Sequence, residues 1–432
     1  MADYREMWKS LDMDLEKHDK LCEVLPQFYE EIYLSQKNRP QGMNYFNFVV
    51  SEVHGLRIKE LLESRKNNRK VIGSFCVYVP DEVINAADAI SVGLCGGSDF
   101  WHPDGEKVLP RNTCPLVKAS IGAKISATCP YFQSCDLLVG ETTCDGKKKA
   151  WEILSEYTPI HVMDLPQMKR EKDNLHWQDE IKIFIDKIEN LTGNKINEEN
   201  LAEGIKLINE KRRVLKRLYE FRKFDKLPIS GKDVLLISQI AFYDDPKRFI
   251  EKTNELCDEL EKRVQNGISV FEENTPRILI TGTPMAIPNW KLHHIIESSG
   301  GAVVCEETCT GTRYFENLVD ENGKTLAKQI KALSDRYLNI NCACFTPNKG
   351  RIDDILRLYK EYNADGIVYF TLPFCTTYAT EFKKVKDALD KKGIPVIMIE
   401  TDYGLQDAGQ IKTRLEAFFE MLETNKKVAV TK

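Results

Sequence analysis

Short apolar runs alternate with helix-length amphipathic segments in two blocks, separated by about a hundred residues without such a run, and this limits the fold of the chain more than any other feature. In the first block, Val71 to Val79 is a continuous apolar run between charged residues and Pro80, the pattern of a strand buried on both faces. A helix starting near Asp81 follows, then strand-like runs at 89–95, Leu137–Gly140 and Pro159–Met163, with a helix from Lys147 to Tyr157. The second block repeats the scheme at Arg277–Gly282, Ala302–Cys305, Gly366–Phe370 and Pro395–Glu400. Alternation of this kind builds βαβ units and a parallel sheet.

The predicted fold class is therefore α/β: two doubly wound, flavodoxin- or Rossmann-like parallel-sheet domains at 69–167 and 271–432. An N-terminal helical segment, 1–68, precedes them. A helical connector, 168–270, joins them through charged, helix-periodic stretches at Asp179–Leu191, Glu198–Phe221 and Pro246–Val264.

Net charge is only −5, so no general electrostatic pull toward nucleic acid or an anionic membrane is expected. The basic run Lys147-Lys148-Lys149 reads as a solvated helix start. The N-terminal residues are polar, and no apolar stretch approaches the ~18 residues of a membrane-spanning helix, so the expected location is the cytoplasm.

Thirteen cysteines stand out against that expectation. A reducing compartment and a chain this long argue against a disulfide framework, leaving buried thiols or metal-bound thiolates. Position separates the two, because ligands of parallel sheets bind beyond the carboxyl ends of the strands. Cys144, Cys305, Cys309 and Cys375 are predicted at such ends, and Cys342 and Cys344 follow the run 337–341. Cys114 precedes Pro115 and a helical run, where a helix N-terminus favours thiolate, and Cys129 lies just past that helix. The candidate ligands are thus Cys114, Cys129, Cys144, Cys305, Cys309, Cys342 (or Cys344) and Cys375. Cys22, Cys76 and Cys257 fall inside elements and are assigned to packing, as is Cys135, which opens a strand; Cys95 fits either role. Paired zinc-type spacings and ferredoxin runs are absent, so an iron–sulfur cluster shared between domains, a zinc site and structural thiols all stay open on spacing alone.

Several carboxylates fall near the same ends: Glu141, Glu306, Glu307, Glu400 and Asp402. Glu307, Glu400 and Asp402 are the predicted proton carriers, with capping or ion pairing as the competing role. His293 and His294 sit in a helix pattern and are read as packing.

The motifs Cys114-Pro-Leu-Val-Lys-Ala-Ser, Gly140-Glu-Thr-Thr-Cys144-Asp-Gly, Gly300-Gly-Ala-Val-Val-Cys305-Glu-Glu-Thr-Cys309, Phe374-Cys375 and Ile399-Glu-Thr-Asp-Tyr403 together resemble the 2-hydroxyacyl-CoA dehydratase family, which includes benzoyl-CoA reductase subunits. The likeness runs from about residue 70 to 425 and is weakest in the connector. It implies that Cys114, Cys144 and Cys375 hold a [4Fe–4S] cubane. The surplus cysteines resemble the family's double-cubane proteins, in which six cysteines hold an [8Fe–9S] cluster; the seven candidates exceed that by one.

The resemblance further implies electrons from a separate ATP-hydrolysing [4Fe–4S] activator, and a homodimer. The chain itself has no G-x₄-G-K-[ST] phosphate loop. Three functions follow: a double-cubane reductase acting on a small substrate, which the surplus cysteines favour; a dehydratase subunit with one cubane, working through a ketyl radical; and a non-catalytic electron-transfer module.

Overall fold

In the computed structural model, which describes residues 4–430, the two blocks of apolar runs form two four-stranded parallel sheets. Strands β1 (Val71–Ser74), β2 (Ile90–Gly93), β3 (Leu137–Glu141) and β4 (Ile160–Met163) make the first, in the order β2-β1-β3-β4. Strands β5 (Arg277–Gly282), β6 (Ala302–Glu307), β7 (Gly366–Thr371) and β8 (Val396–Glu400) make the second, in the order β6-β5-β7-β8. The two halves share one winding, as the alternation predicts. Register is set by pairs such as Ile72 with Leu137 and Ile278 with Gly366.

The middles of the central strands are apolar because helices cover both faces; Leu138, Val139, Leu279, Ile280, Ile367 and Val368 are all fully buried. At the end of β5 the chain passes so close to β7 that a side chain would not fit. Gly282 has φ +145, and a Cβ there would lie 1.8 Å from the Phe370 carbonyl oxygen.

In each sheet the winding reverses between its two middle strands, so the loops after β1 and β3, and after β5 and β7, diverge and open a crevice. The two crevice ends face one another. Tyr78 donates to the Ile340 carbonyl at 3.3 Å, the Lys169 ammonium to the same oxygen at 2.9 Å, and the Thr346 and Gly97 amides to Gln167 and Ile287 carbonyls at 3.0 Å each.

The connector consists of the helices Glu171–Thr192, Glu198–Glu220, Gly231–Ile240 and Pro246–Gln265. The second of these starts at Asn197, whose side chain accepts from the Glu199 and Asn200 amides while the Asn200 side chain accepts from the Asn197 amide. It packs against the helix Asp81–Ala86 of the first half and against Thr312–Phe315 and Leu326–Leu338 of the second. At that crossing Arg212 donates to Glu82 at 2.6 Å, and Tyr337 donates to the other Glu82 oxygen at 2.7 Å.

Three local expectations are corrected. β1 ends at Ser74, and the rest of the run, Phe75 to Val79, is a loop that stays apolar because the two halves enclose it. β6 continues to Glu307, so Cys305 lies within the strand and does not end it. No strand precedes Cys342: Ile330, Leu333 and Tyr337 recur at helical spacing on the buried face of Leu326–Leu338. Among the described residues, no helix is long and apolar enough to cross a membrane.

Candidate metal centre

The seam between the halves gathers cysteines from both. In the first group, Cys114, Cys144 and Cys375 each occupy the N-cap of a helix: Pro115–Ile125, Asp145–Leu154 and Thr376–Asp390. Three helix N-termini therefore point at one place, the arrangement that favours negative charge. The thiols of Cys114 and Cys375 are in direct contact. That contact pushes the Cys114 thiol down to about 7, against its burial and with help from the Leu116 and Val117 amides, and raises its partner. Cys144 accepts from the Lys147 amide at 3.5 Å.

The second group is Cys76 in the loop after β1, Cys309 in the loop after β6, and Cys342 and Cys344 between the helices Leu326–Leu338 and Lys349–Glu361. Contact with Cys344 lowers the Cys342 thiol, supported by Arg313 and by the Tyr378 hydroxyl 3.5 Å away. The Arg313 guanidinium lies 3.9 Å from Cys309 Sγ. Burial raises the thiols of Cys76 and Cys309.

Lys147 stands between the groups. It is buried and paired with the equally buried Glu141, and its charge acts on Cys114 and Cys144 on one side and on Cys76 and Cys309 on the other. Burial opposes its charge, but Glu141 and the thiols of Cys76 and Cys95 hold its pKa above the ordinary lysine value. Only Lys148 and Lys149 of the basic run are exposed, as a solvated helix start would be; Lys147 is a correction to that expectation. A cavity of about 80 Å³ opens beside Cys76, Cys95 and Cys309, walled by Phe75, Ile287 and Tyr314.

The other predicted ligands lie elsewhere. Cys129 caps the short helix Pro130–Ser134 and faces Lys124 and Cys135. Cys305 is buried in β6, and the charges that act on it most are Glu306 and Arg222. Glu306 is fixed by Arg222, Tyr219 and His293. Glu307 is fixed by Arg313, Arg351 and the Thr281 hydroxyl, which makes it an ion-pair partner more than a proton carrier. Glu400 is exposed at the end of β8. Asp402 caps its own turn, accepting from the Gly404 amide at 3.0 Å, and faces His102 and Tyr403.

Sequence reasoning assigned Cys76 to packing and Lys147 to a solvated helix start; Tyr403, which ends the last of the motifs, was given no role. The Tyr403 hydroxyl is buried without a partner, beside Cys114, Cys95 and Cys375, and its ring lies 5.8 Å from that of His102. Soft thiolate donors at converging helix N-termini, with an orphaned hydroxyl aimed among them, fit an anionic metal–sulfur group.

Fold and seam together define a two-half α/β protein with a cysteine-lined crevice between facing parallel sheets. The chain belongs to the family described as 2-hydroxyglutaryl-CoA dehydratase, D-component, which it matches over residues 76–422. It is 37% identical over 375 residues to the Escherichia coli (strain K12) protein named "Putative dehydratase subunit YjiM", covering 86% of this chain and 96% of that one. It is 25% identical to the (R)-phenyllactyl-CoA dehydratase beta subunit of Clostridium sporogenes (89% and 100% covered). To a benzoyl-CoA reductase subunit of Thauera aromatica it is 22% identical (76% and 85% covered).

Proposed function

We propose that this chain is an iron–sulfur reductase with a double-cubane [8Fe–9S] cluster in the seam, charged by an ATP-hydrolysing [4Fe–4S] partner and acting as a homodimer on a small substrate. The observation that carries this reading is the presence of two cysteine groups, each drawing on both halves, with one buried lysine between them. Cys114, Cys144 and Cys375 would hold one cubane, and three of Cys76, Cys309, Cys342 and Cys344 the other. Cys129 and Cys305 drop out of the ligand set.

When bound, such a cluster supplies electrons at low potential, because thiolate ligation and high negative charge disfavour further reduction. The chain's own residues do the rest. Lys147, Arg313 and the three helix N-termini offset the charge. Tyr403, with His102 and Asp402 behind it, is placed to move a proton at its hydroxyl. The cavity beside Cys76, Cys95 and Cys309 adjoins the second cysteine group. Relatives named as subunits support a partner component.

The second reading is a dehydratase subunit with one cubane on Cys114, Cys144 and Cys375. The names of the relatives favour it, and this group is complete without the other. The test is turnover of small reducible substrates with the donor and ATP present or withheld. Activity that survives without them removes the proposed role, and dehydration of an acyl-CoA would select the second reading.

A further inference from the structure

The helix Leu15–Tyr29, outside the seam, carries His18 and Cys22 one turn apart on the same face. His54 meets them from the turn between the helices Met43–Ser51 and Leu56–Lys66. His18 Nε2 lies 3.0 Å from His54 Nδ1 and 3.6 Å from Cys22 Sγ, and one ligand atom from each of the three residues falls within 4.8 Å of the others. Zinc bonds of about 2.05 Å to nitrogen and about 2.3 Å to sulfur, at tetrahedral angles, put such atoms about 3.3 Å (N to N) and about 3.6 Å (N to S) apart. The three side chains already approximate one face of that tetrahedron.

We propose that His18, Cys22 and His54 form a second metal site that takes a zinc ion, with water at the fourth corner. Its surroundings hold the ligands in place. The Trp8 ring packs edge-on against His18 at 4.3 Å, and its indole N–H donates to the His54 carbonyl at 2.7 Å. The donors, two imidazoles and a thiol, suit zinc better than calcium or magnesium, which select oxygen. The ion would tie three N-terminal segments together: the helix Arg5–Lys9 through Trp8, the helix Leu15–Tyr29, and the turn at His54. Its role is structural, and it adds no step to the redox chemistry. The sequence pattern assigns Cys22 to packing; half-buried and beside two histidines, it has a ligand's surroundings.

The test uses the full chain, purified without oxygen, exposed to zinc chloride, desalted and analysed for zinc and iron in the same sample. The expected result is about one zinc per chain that is lost, by at least tenfold, in both Cys22→Ala and His54→Gln, with iron and the circular dichroism spectrum unchanged. Two variants are used so that misfolding of one does not decide the outcome. Zinc absent from the wild type, or zinc retained in both variants (as it would be if bound to the seam cysteines), overturns the site.

Discussion

Changing Glu82 to Gln tests the joint that sets the two cysteine groups against one another. Glu82 belongs to the first half, Arg212 to the connector and Tyr337 to the second half, and all three are essentially inaccessible to water. Arg212 bonds Glu82 at 2.6 Å and the Tyr337 hydroxyl at 3.2 Å, while Tyr337 bonds Glu82 at 2.7 Å. The substitution keeps the shape but leaves the Arg212 guanidinium buried without a counter-charge, with Arg336 also nearby. Breaking a buried pair from one side costs about 3–5 kcal/mol. Unfolding entropy of about 2.1 cal/mol/K per residue gives a 432-residue chain about 0.9 kcal/mol per kelvin, so the thermal midpoint should fall by about 3–6 °C. The assay is anaerobic thermal unfolding followed by circular dichroism. Burial pushes the Glu82 carboxyl up, but Arg212, Arg336 and Tyr337 outweigh it and hold it below the ordinary glutamate range. A depressed carboxyl contributes stability that is full above its unfolded value and is lost as pH falls through the folded one. The gap between wild type and variant should therefore be constant from pH 8 to 5 and close only in more acid solution. A fall of less than about 1 °C at pH 7, or a gap that closes on the alkaline side, would refute the reasoning.

Lys147→Met removes the cation between the cysteine groups and strands buried Glu141; the midpoint potential of the bound cluster should drop by on the order of 100 mV in an anaerobic redox titration, and Glu141→Gln in the same chain should recover part of it. Cys76→Ala should lower bound iron by about half, whereas Cys305→Ala and Cys129→Ala should leave it unchanged within about a tenth, as counted by metal analysis; the reverse order would restore the ligand set expected from the sequence.

Both sheets were legible because double burial writes itself as apolar runs, and the helical connector because its charged faces keep a 3.6-residue period. The positions of Cys144 and Cys375 were legible from the strands before them and that of Cys114 from the proline and helical run after it; all three stand at helix N-termini in the structure. Cys76 was hidden because enclosure by the other half keeps its loop as apolar as the strand before it: Phe75 stacks on Trp151 with centroids 4.4 Å apart, and Tyr78 is fully buried. Cys305 misled for the opposite reason, since charged Glu306 and Glu307 look like the end of a strand but are buried against Arg222 and Arg313. Burial of charge by distant arginines leaves no local mark in a sequence. Lys147 was lost in the same way, as one inward residue in a run whose other two lysines are solvated.

Iron and acid-labile sulfide per chain, measured on protein purified without oxygen, test the central claim most directly. About eight irons with a slight excess of sulfide are expected if both cysteine groups hold a cubane. About four irons, unchanged by Cys76→Ala and abolished by Cys375→Ala, would contradict it and leave a single cubane on Cys114, Cys144 and Cys375.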